Sequence, residues 1–259
     1  KPDEIKQFAK HVIEEEQDTI VMESYLVGHE LSIFAILDGQ DYILLPACAD
    51  HKKAFEGNKG PNTGGMGAVC PIPSADSKLF GVIEDTIIQP TISQMKKEQL
   101  MYCGVLFFGI MVTGEGPKLL EYNVRFGDPE TQSLLPLLNC DIADLFEAAV
   151  THSIKGFHCE FADKTAVGIT IAAPGYPGAY ERDIPVDTLP KTSKKMLLFH
   201  AGTTIDRSGK LYTGGGRCFT AVGIGHDYFE AHADALDLAS KVKFNGAWYR
   251  HDIGKFFFE

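Results

Sequence analysis

Residues 119–132 read LLEYNVRFGDPETQ. The run up to Val124 has the composition of a strand, yet every second position from Glu121 carries a polar group: carboxylate Glu121, amide Asn123 and guanidinium Arg125, followed at once by Asp128 and Glu130. Side chains alternate across a strand, so these three share one face while Tyr122 and Val124 take the other. A carboxylate and an amide oxygen are hard ligands of the kind magnesium accepts one or two at a time, and an arginine fork beside them suits phosphoryl oxygens. The same spacing fits an exposed strand edge in which Glu121 and Arg125 form an ion pair worth at most about 1 kcal/mol. The scarcity of Asn in strands, and the loop that follows, speak for chemistry.

Working outward, GVLFFGIMVT (104–113) precedes this strand across the turn GEGP, which predicts a hairpin. A second hairpin is expected from ELSIFAIL and QDYILLPA across Asp38-Gly39, and TIVMESYL (19–26) reads as a strand. Near the N-terminus Pro2 suits a first helical turn, and Ile5, Phe8, Ala9, Val12 and Ile13 form a helical apolar stripe. Helical patterns recur from Asp76 to about Leu100, with Pro90 as a break or new start. They recur again over DIADLFEAAVTHS, where Asp141 is the expected cap and Ile142, Leu145, Phe146, Ala149 and Val150 the buried face. From about residue 156 short strands separated by Gly and Pro turns, with one helix near 228–242, predict a small antiparallel unit. The fold class expected is α+β, with one unit at 1–155 and a smaller one at 156–259.

Two further stretches carry candidate chemistry. In GPNTGGMGA (60–68), Gly60, Gly64, Gly65 and Gly67 allow backbone N–H groups to approach an anion, and Asn62 and Thr63 add side-chain donors. It lacks the order of a Walker loop, and a flexible turn is the alternative. Asp50, His51, Lys52 and Lys53 lie just upstream, as ligands or as a solvated charge cluster. In IVMESYLVGHE (20–30), an extended backbone could serve a base edge and an acidic side chain a ribose, although Glu23 and Glu30 equally suit a surface.

Composition narrows the partners. Lys and Arg number 24 against 35 Asp and Glu, a formal charge of −11 that argues against nucleic acid. No apolar run approaches the roughly 20 residues of a membrane span. The six cysteines show no C-x-x-C pattern and read as reduced thiols of a cytoplasmic protein.

Together, ADHKK and GPNTGGMGA followed some fifty residues later by LLEYNVRFGDPETQ resemble the phosphoribosylamine-glycine ligase family of ATP-grasp enzymes. The likeness continues through AAPGYPGAY, LFHAGT, TGGGR and WYRHDIG, covering nearly all the chain from about residue 19. It implies the C-terminal part of an ATP-grasp domain followed by a small α+β domain. It also implies ATP-dependent joining of glycine to 5-phosphoribosylamine through a glycyl phosphate, releasing ADP and phosphate. By the resemblance, Glu121 and Asn123 hold magnesium, or manganese in its place, and Arg125 is catalytic. Glu23, Tyr25, Leu26 and Glu30 meet ATP. Asn62, Thr63, Gly64, Gly65, Met66 and Gly67 meet the phosphoribosylamine, and Asp128 and Glu130 lie near glycine.

The family's preceding N-terminal half is not in the sequence, so its place in the same or another chain, and inactivity of this chain alone, are expected. Asn58-Lys59-Gly60 and Val69 depart from the family's usual acidic residue with threonine, and tyrosine. Alternatives are another ATP-grasp carboxylate–amine ligase, or a noncatalytic nucleotide-binding remnant.

Overall fold

The computed structural model describes residues 2–258; Lys1 and Glu259, the outermost residues of the two expected units, lie outside them. Helix α1 (Pro2–Glu14) leads into an irregular stretch. It is followed by β1 (Gly28–Asp38), β2 (Tyr42–Leu44), β3 (Ala49–Asp50), β4 (Lys53–Phe55), β5 (Lys59–Asn62) and β6 (Gly67–Cys70). Helix α2 (Ser77–Ile83) continues through a π-helical turn, Glu84–Ile88, into α3 (Gln89–Lys97), so Pro90 starts a helical segment without interrupting the rod. Then come β7 (Cys103–Thr113), β8 (Gly116–Asn123), α4 (Glu130–Leu134), a 3-10 turn and α5 (Ile142–Val150). The remainder is β9 (Thr165–Ala172), β10 (Val186–Thr188), β11 (Met196–His200), β12 (Thr203–Ile205), β13 (Leu211–Thr213), β14 (Arg217–Gly225), α6 (Tyr228–Lys241), β15 (Lys243–Phe244) and α7 (Lys255–Phe258).

Two antiparallel sheets organise these elements. The first has the order β2-β1-β7-β8 and contains both expected hairpins. Its central strand β1 is buried on both faces: Leu31, Ile33 and Ala35 join a core with Ile83, Ile88 and Ile92 of the α2–α3 rod, while Phe34 and Ile36 pack with Leu145 and Ala149 of α5. The second sheet runs β11-β14-β9-β6-β3, covered by Ala231, Ala235 and Leu238 of α6. It draws strands from both sides of residue 155, so the two expected units share one sheet. Gly67 and Gly168 meet at the join, where a Cβ on Gly67 would stand 2.4 Å from the Gly168 carbonyl oxygen. The small ribbons β4–β5, β10–β15 and β12–β13 complete the structure.

Local chemistry explains the helix starts. Asp76, Asp141 and Asp227 each accept a backbone N–H of the first turn, from Leu79, Ala143 and Glu230 respectively. Such caps contribute about 1 kcal/mol each.

Three expectations change. Residues 19–26 form no strand: they run irregularly between α1 and β1, with Glu23–Leu26 lining a cleft with Lys118–Leu120 of the edge strand β8 without pairing to it. The α1 stripe buries only Val12, with Ile5 and Phe8 60% and 65% exposed. In α5 the buried residues are Leu145, Ala148 and Ala149, whereas Val150 is 67% exposed. Among the described residues no helix is long and apolar enough to cross a membrane.

Candidate functional site

The polar face of β8 forms as alternation requires. Asn123 Nδ2 donates to Glu121 Oε1 at 3.3 Å, and Arg125 Nη2 donates to Asn123 Oδ1 at 3.3 Å. Arg125 Nη1 also donates to the Phe126 carbonyl at 3.0 Å, fixing the guanidinium beside the strand. On the opposite face the Tyr122 hydroxyl meets Thr91 of α3 at 2.7 Å, and its ring stands edge-on to Phe108. Gly109, opposite Glu121 on β7, leaves room for the carboxylate stem: a Cβ there would lie 3.0 Å from Glu121 Cγ.

Glu121, Asn123 and Arg125 line a 150 Å³ cleft shared with Asp128, Glu130, Thr63, Gly64, Asp50 and Lys52. Glu130 is buried, accepts from Ser32 Oγ at 2.8 Å and folds over Gly127. Asp128 is exposed and takes Arg217 of β14, whose Nη1 donates to the Asp128 carbonyl at 2.8 Å and to the Gly64 carbonyl at 2.7 Å. Arg217 thereby ties the glycine-rich loop to the loop after β8. No role was assigned to it from sequence, although TGGGR was part of the likeness.

In the glycine-rich loop four N–H groups are bonded within the protein: Thr63 to the Lys52 carbonyl, Gly64 to the Tyr176 hydroxyl, Gly65 to Thr63 Oγ1 and Met66 to the His51 carbonyl. The Met66 side chain is fully buried in the core, which leaves its backbone as the part that could meet a substrate. Gly65 and Gly67 serve close backbone packing, with a Cβ on Gly65 meeting Pro129 Cδ at 2.4 Å. Thr63 and Gly64 reach the cleft of Glu121, and Asn62 lines a neighbouring cleft of 410 Å³.

A third cleft, of 370 Å³, gathers Glu23, Tyr25, Leu26 and Glu30 with Met111, Lys118 and Leu119. Glu30 lines both larger clefts and pairs with Lys52 Nζ at 2.8 Å. Burial opposes the charge on Lys52, but the Glu30 hydrogen bond and the neighbouring Asp50 and Glu121 carboxylates outweigh it and raise the pKa. Asp50 is pushed well above the usual carboxylate range by burial and then by Glu130. Its Oδ1 is buried without a hydrogen-bond partner, a position that an incoming cationic or proton-bearing group would relieve.

Among the described residues no group of three or more His, Cys, Asp or Glu could hold a metal by itself. A hard cation that takes one carboxylate and one amide oxygen, and completes its shell with phosphate and water, fits the Glu121–Asn123 pair.

Comparisons with known proteins bear on the family of the chain. The family model described as phosphoribosylglycinamide synthetase, ATP-grasp (A) domain, matches residues 3–131, and that of the C domain of the same synthetase matches residues 166–256. The chain is 42% identical over 244 residues to a phosphoribosylamine–glycine ligase of Caldanaerobacter subterraneus, covering 94% of this chain and 58% of that protein. It is 39% identical to the human trifunctional purine biosynthetic protein adenosine-3, over 92% of this chain and 24% of that one. The crystal structure of a Thermotoga maritima phosphoribosylamine–glycine ligase superposes with a TM-score of 0.80 at 37% identity, covering 97% of this chain and 63% of the other. A biotin carboxylase from Campylobacter jejuni, 13% identical with a TM-score of 0.63 over 90% of this chain and 50% of its own, shares the fold alone. The chain thus spans little more than half the length of the single-function relatives it matches. With an α+β fold of antiparallel sheets and helices, and with both domain models of one synthetase matched in order, this chain belongs to the phosphoribosylglycinamide synthetase family of ATP-grasp proteins.

Proposed function

We propose that this chain carries the metal and nucleotide side of a site that joins glycine to 5-phosphoribosylamine at the expense of ATP, giving glycinamide ribonucleotide, ADP and phosphate in the cytoplasm. The observation that carries the reading is the single polar face Glu121–Asn123–Arg125, which opens beside the cleft of Glu23, Tyr25, Leu26 and Glu30. Residues 19–26 lie outside any sheet, which favours use of their peptide groups by the adenine edge, while Glu30 suits the ribose.

In this reading the glycine carboxylate attacks the γ-phosphorus, the bond to ADP breaks, and glycyl phosphate forms. The amine of phosphoribosylamine then attacks the carbonyl carbon, and phosphate leaves. Such transfers ask a protein mainly for positioning and for support of developing oxygen charge. Arg125 and Lys52 supply fixed positive charge at the cleft, and Arg217 holds the two loops that border it. Glu121 and Asn123 would hold magnesium, or manganese in its place, which would supply positive charge to the transferring phosphate. Thr63, Gly64 and Asn62 would face the phosphoribosylamine, and Asp128 and Glu130 the glycine. Turnover is assigned to the full-length protein, with the rest of the family's length supplied in the same or another chain, and nucleotide binding to this chain.

The test is glycine-dependent ADP release by the full-length protein with phosphoribosylamine generated in situ. Glu121→Ala is expected to lower it by about two to three orders of magnitude while leaving Tm within about 2 °C. Undiminished turnover at ordinary magnesium would sink the metal assignment.

A further inference from the structure

Residues 137–139 and 160–162 run antiparallel. Asn139 N–H donates to the Glu160 carbonyl at 2.9 Å, Ala162 N–H donates to the Leu137 carbonyl at 2.8 Å, and Leu138 bridges Phe161. Two residues further along the same register stand Cys140 and Cys159. Directly opposed positions in an antiparallel pair have Cα atoms about 4.5–5.5 Å apart, inside the range a disulfide spans. Their Sγ atoms are 3.0 Å apart, although both are free thiols in this structure.

The other four cysteines differ. Cys48, Cys70 and Cys218 are buried, and Cys103 faces His152 Nδ1 at 3.9 Å. Cys140 and Cys159 are half-buried, so a small reagent has access to them. Cys140 immediately precedes Asp141, the N-cap of α5, and Cys159 closes the return from that helix. The segment between them carries Leu145, Ala148 and Ala149, which pack with Phe34, Ile36 and Phe107, and Phe146, whose ring lies 6.3 Å from that of Phe126. The carbonyl of Phe126 is the one that holds Arg125 Nη1.

We propose that Cys140 and Cys159 form a dithiol–disulfide site that exchanges with low-molecular-weight disulfides and, when oxidised, staples the base of α5. The thiolate of Cys140 attacks one sulfur of the small disulfide, whose S–S bond breaks and releases a first thiolate. Cys159 then gives up its proton, attacks the Cys140 sulfur of the mixed disulfide and displaces the second thiolate. Two S–H bonds are lost, one S–S bond is made, and the two electrons leave with two molecules of small thiol. Burial and the Cys140 contact push the Cys159 thiol up to about 12, and the exchange has the same net balance whichever of the two sulfurs attacks first.

The experiment incubates the chain with glutathione disulfide at pH 8 and then labels remaining thiols with N-ethylmaleimide in denaturant before peptide mass analysis. The expected result is a fall from six labelled cysteines to four, one cross-link joining the Cys140 and Cys159 peptides, and recovery of all six after dithiothreitol. Oxidation should raise Tm by about 5–10 °C, as closure of a short loop does. Cys159→Ser should trap a glutathione adduct on Cys140, and neither single variant should form the cross-link; near-UV circular dichroism checks that both variants fold. Six labelled cysteines after oxidation of the folded wild type, or cross-links that involve other cysteines, would overturn the proposal.

Discussion

His51 is 5% exposed and uses Nε2 to accept the Gly254 N–H at 2.9 Å, which locks the neutral ring with its proton on Nδ1. Burial and then the nearby Arg250 charge depress its pKa from 6.5 to about 4. Between those values the unfolded chain takes up a proton that the folded chain refuses, so stability falls as pH is lowered through the window. The loss should total about 3 kcal/mol by pH 4. Urea melts at pH 7 and pH 4.5 measure it, and His51→Gln, which keeps an acceptor without a titrating ring, should flatten the difference. At this scale the sequence discloses groups that share one strand, because a period of two puts Glu121, Asn123 and Arg125 together whatever surrounds them. That Asp50 lines the same cleft, and that Arg217 ties together the two loops bordering it, was not legible, since they come from strands β3 and β14, which only tertiary folding brings near. The acceptors of the glycine-rich loop's N–H groups, the Lys52 and His51 carbonyls and Tyr176, are likewise invisible from glycine content.

Among the elements, the segment Tyr249–Asp252 acts as a latch. Arg250, 2% exposed, makes paired contacts with Asp252 at 2.7 and 2.8 Å and donates to the Lys53 carbonyl at 2.8 Å, across the β4–β5 ribbon. Removing one partner of such a pair leaves the rest unpaired, so Arg250→Ala should cost about 3 kcal/mol. The cost is read as a lower denaturation midpoint at unchanged m value. Helix periodicity located α5 but misplaced its face by one position, because small Ala148 packs against the sheet while the larger Phe146 and Val150 face outward. Residues 19–26 are β-rich in composition yet line a cleft with the edge strand β8 without pairing to it, and composition alone does not decide pairing. Both hairpins were legible because turn and flanking strands are contiguous in sequence.

For the whole molecule, residues 3–27 bury only Val12, while Glu23, Tyr25 and Leu26 form one wall of the 370 Å³ cleft. Deleting residues 1–27 should therefore shift Tm by no more than about 3 °C yet abolish nucleotide binding, as calorimetry and an ATP titration would show. Unchanged ATP affinity would place the nucleotide elsewhere. Strand pairing across residue 155, where a division was expected, depends on contacts too distant for local pattern to reveal. Those pairings have a practical meaning for any severed form of the chain. Cutting between β6 and β9 would strip each of the ladder that now satisfies its peptide groups, leaving two apolar strand rims, Gly67–Cys70 and Thr165–Ala172, open to edge-to-edge association. Fragments divided there would face self-aggregation before reassembly, a hazard that physical continuity of the chain averts by keeping the complementary edges at high local concentration.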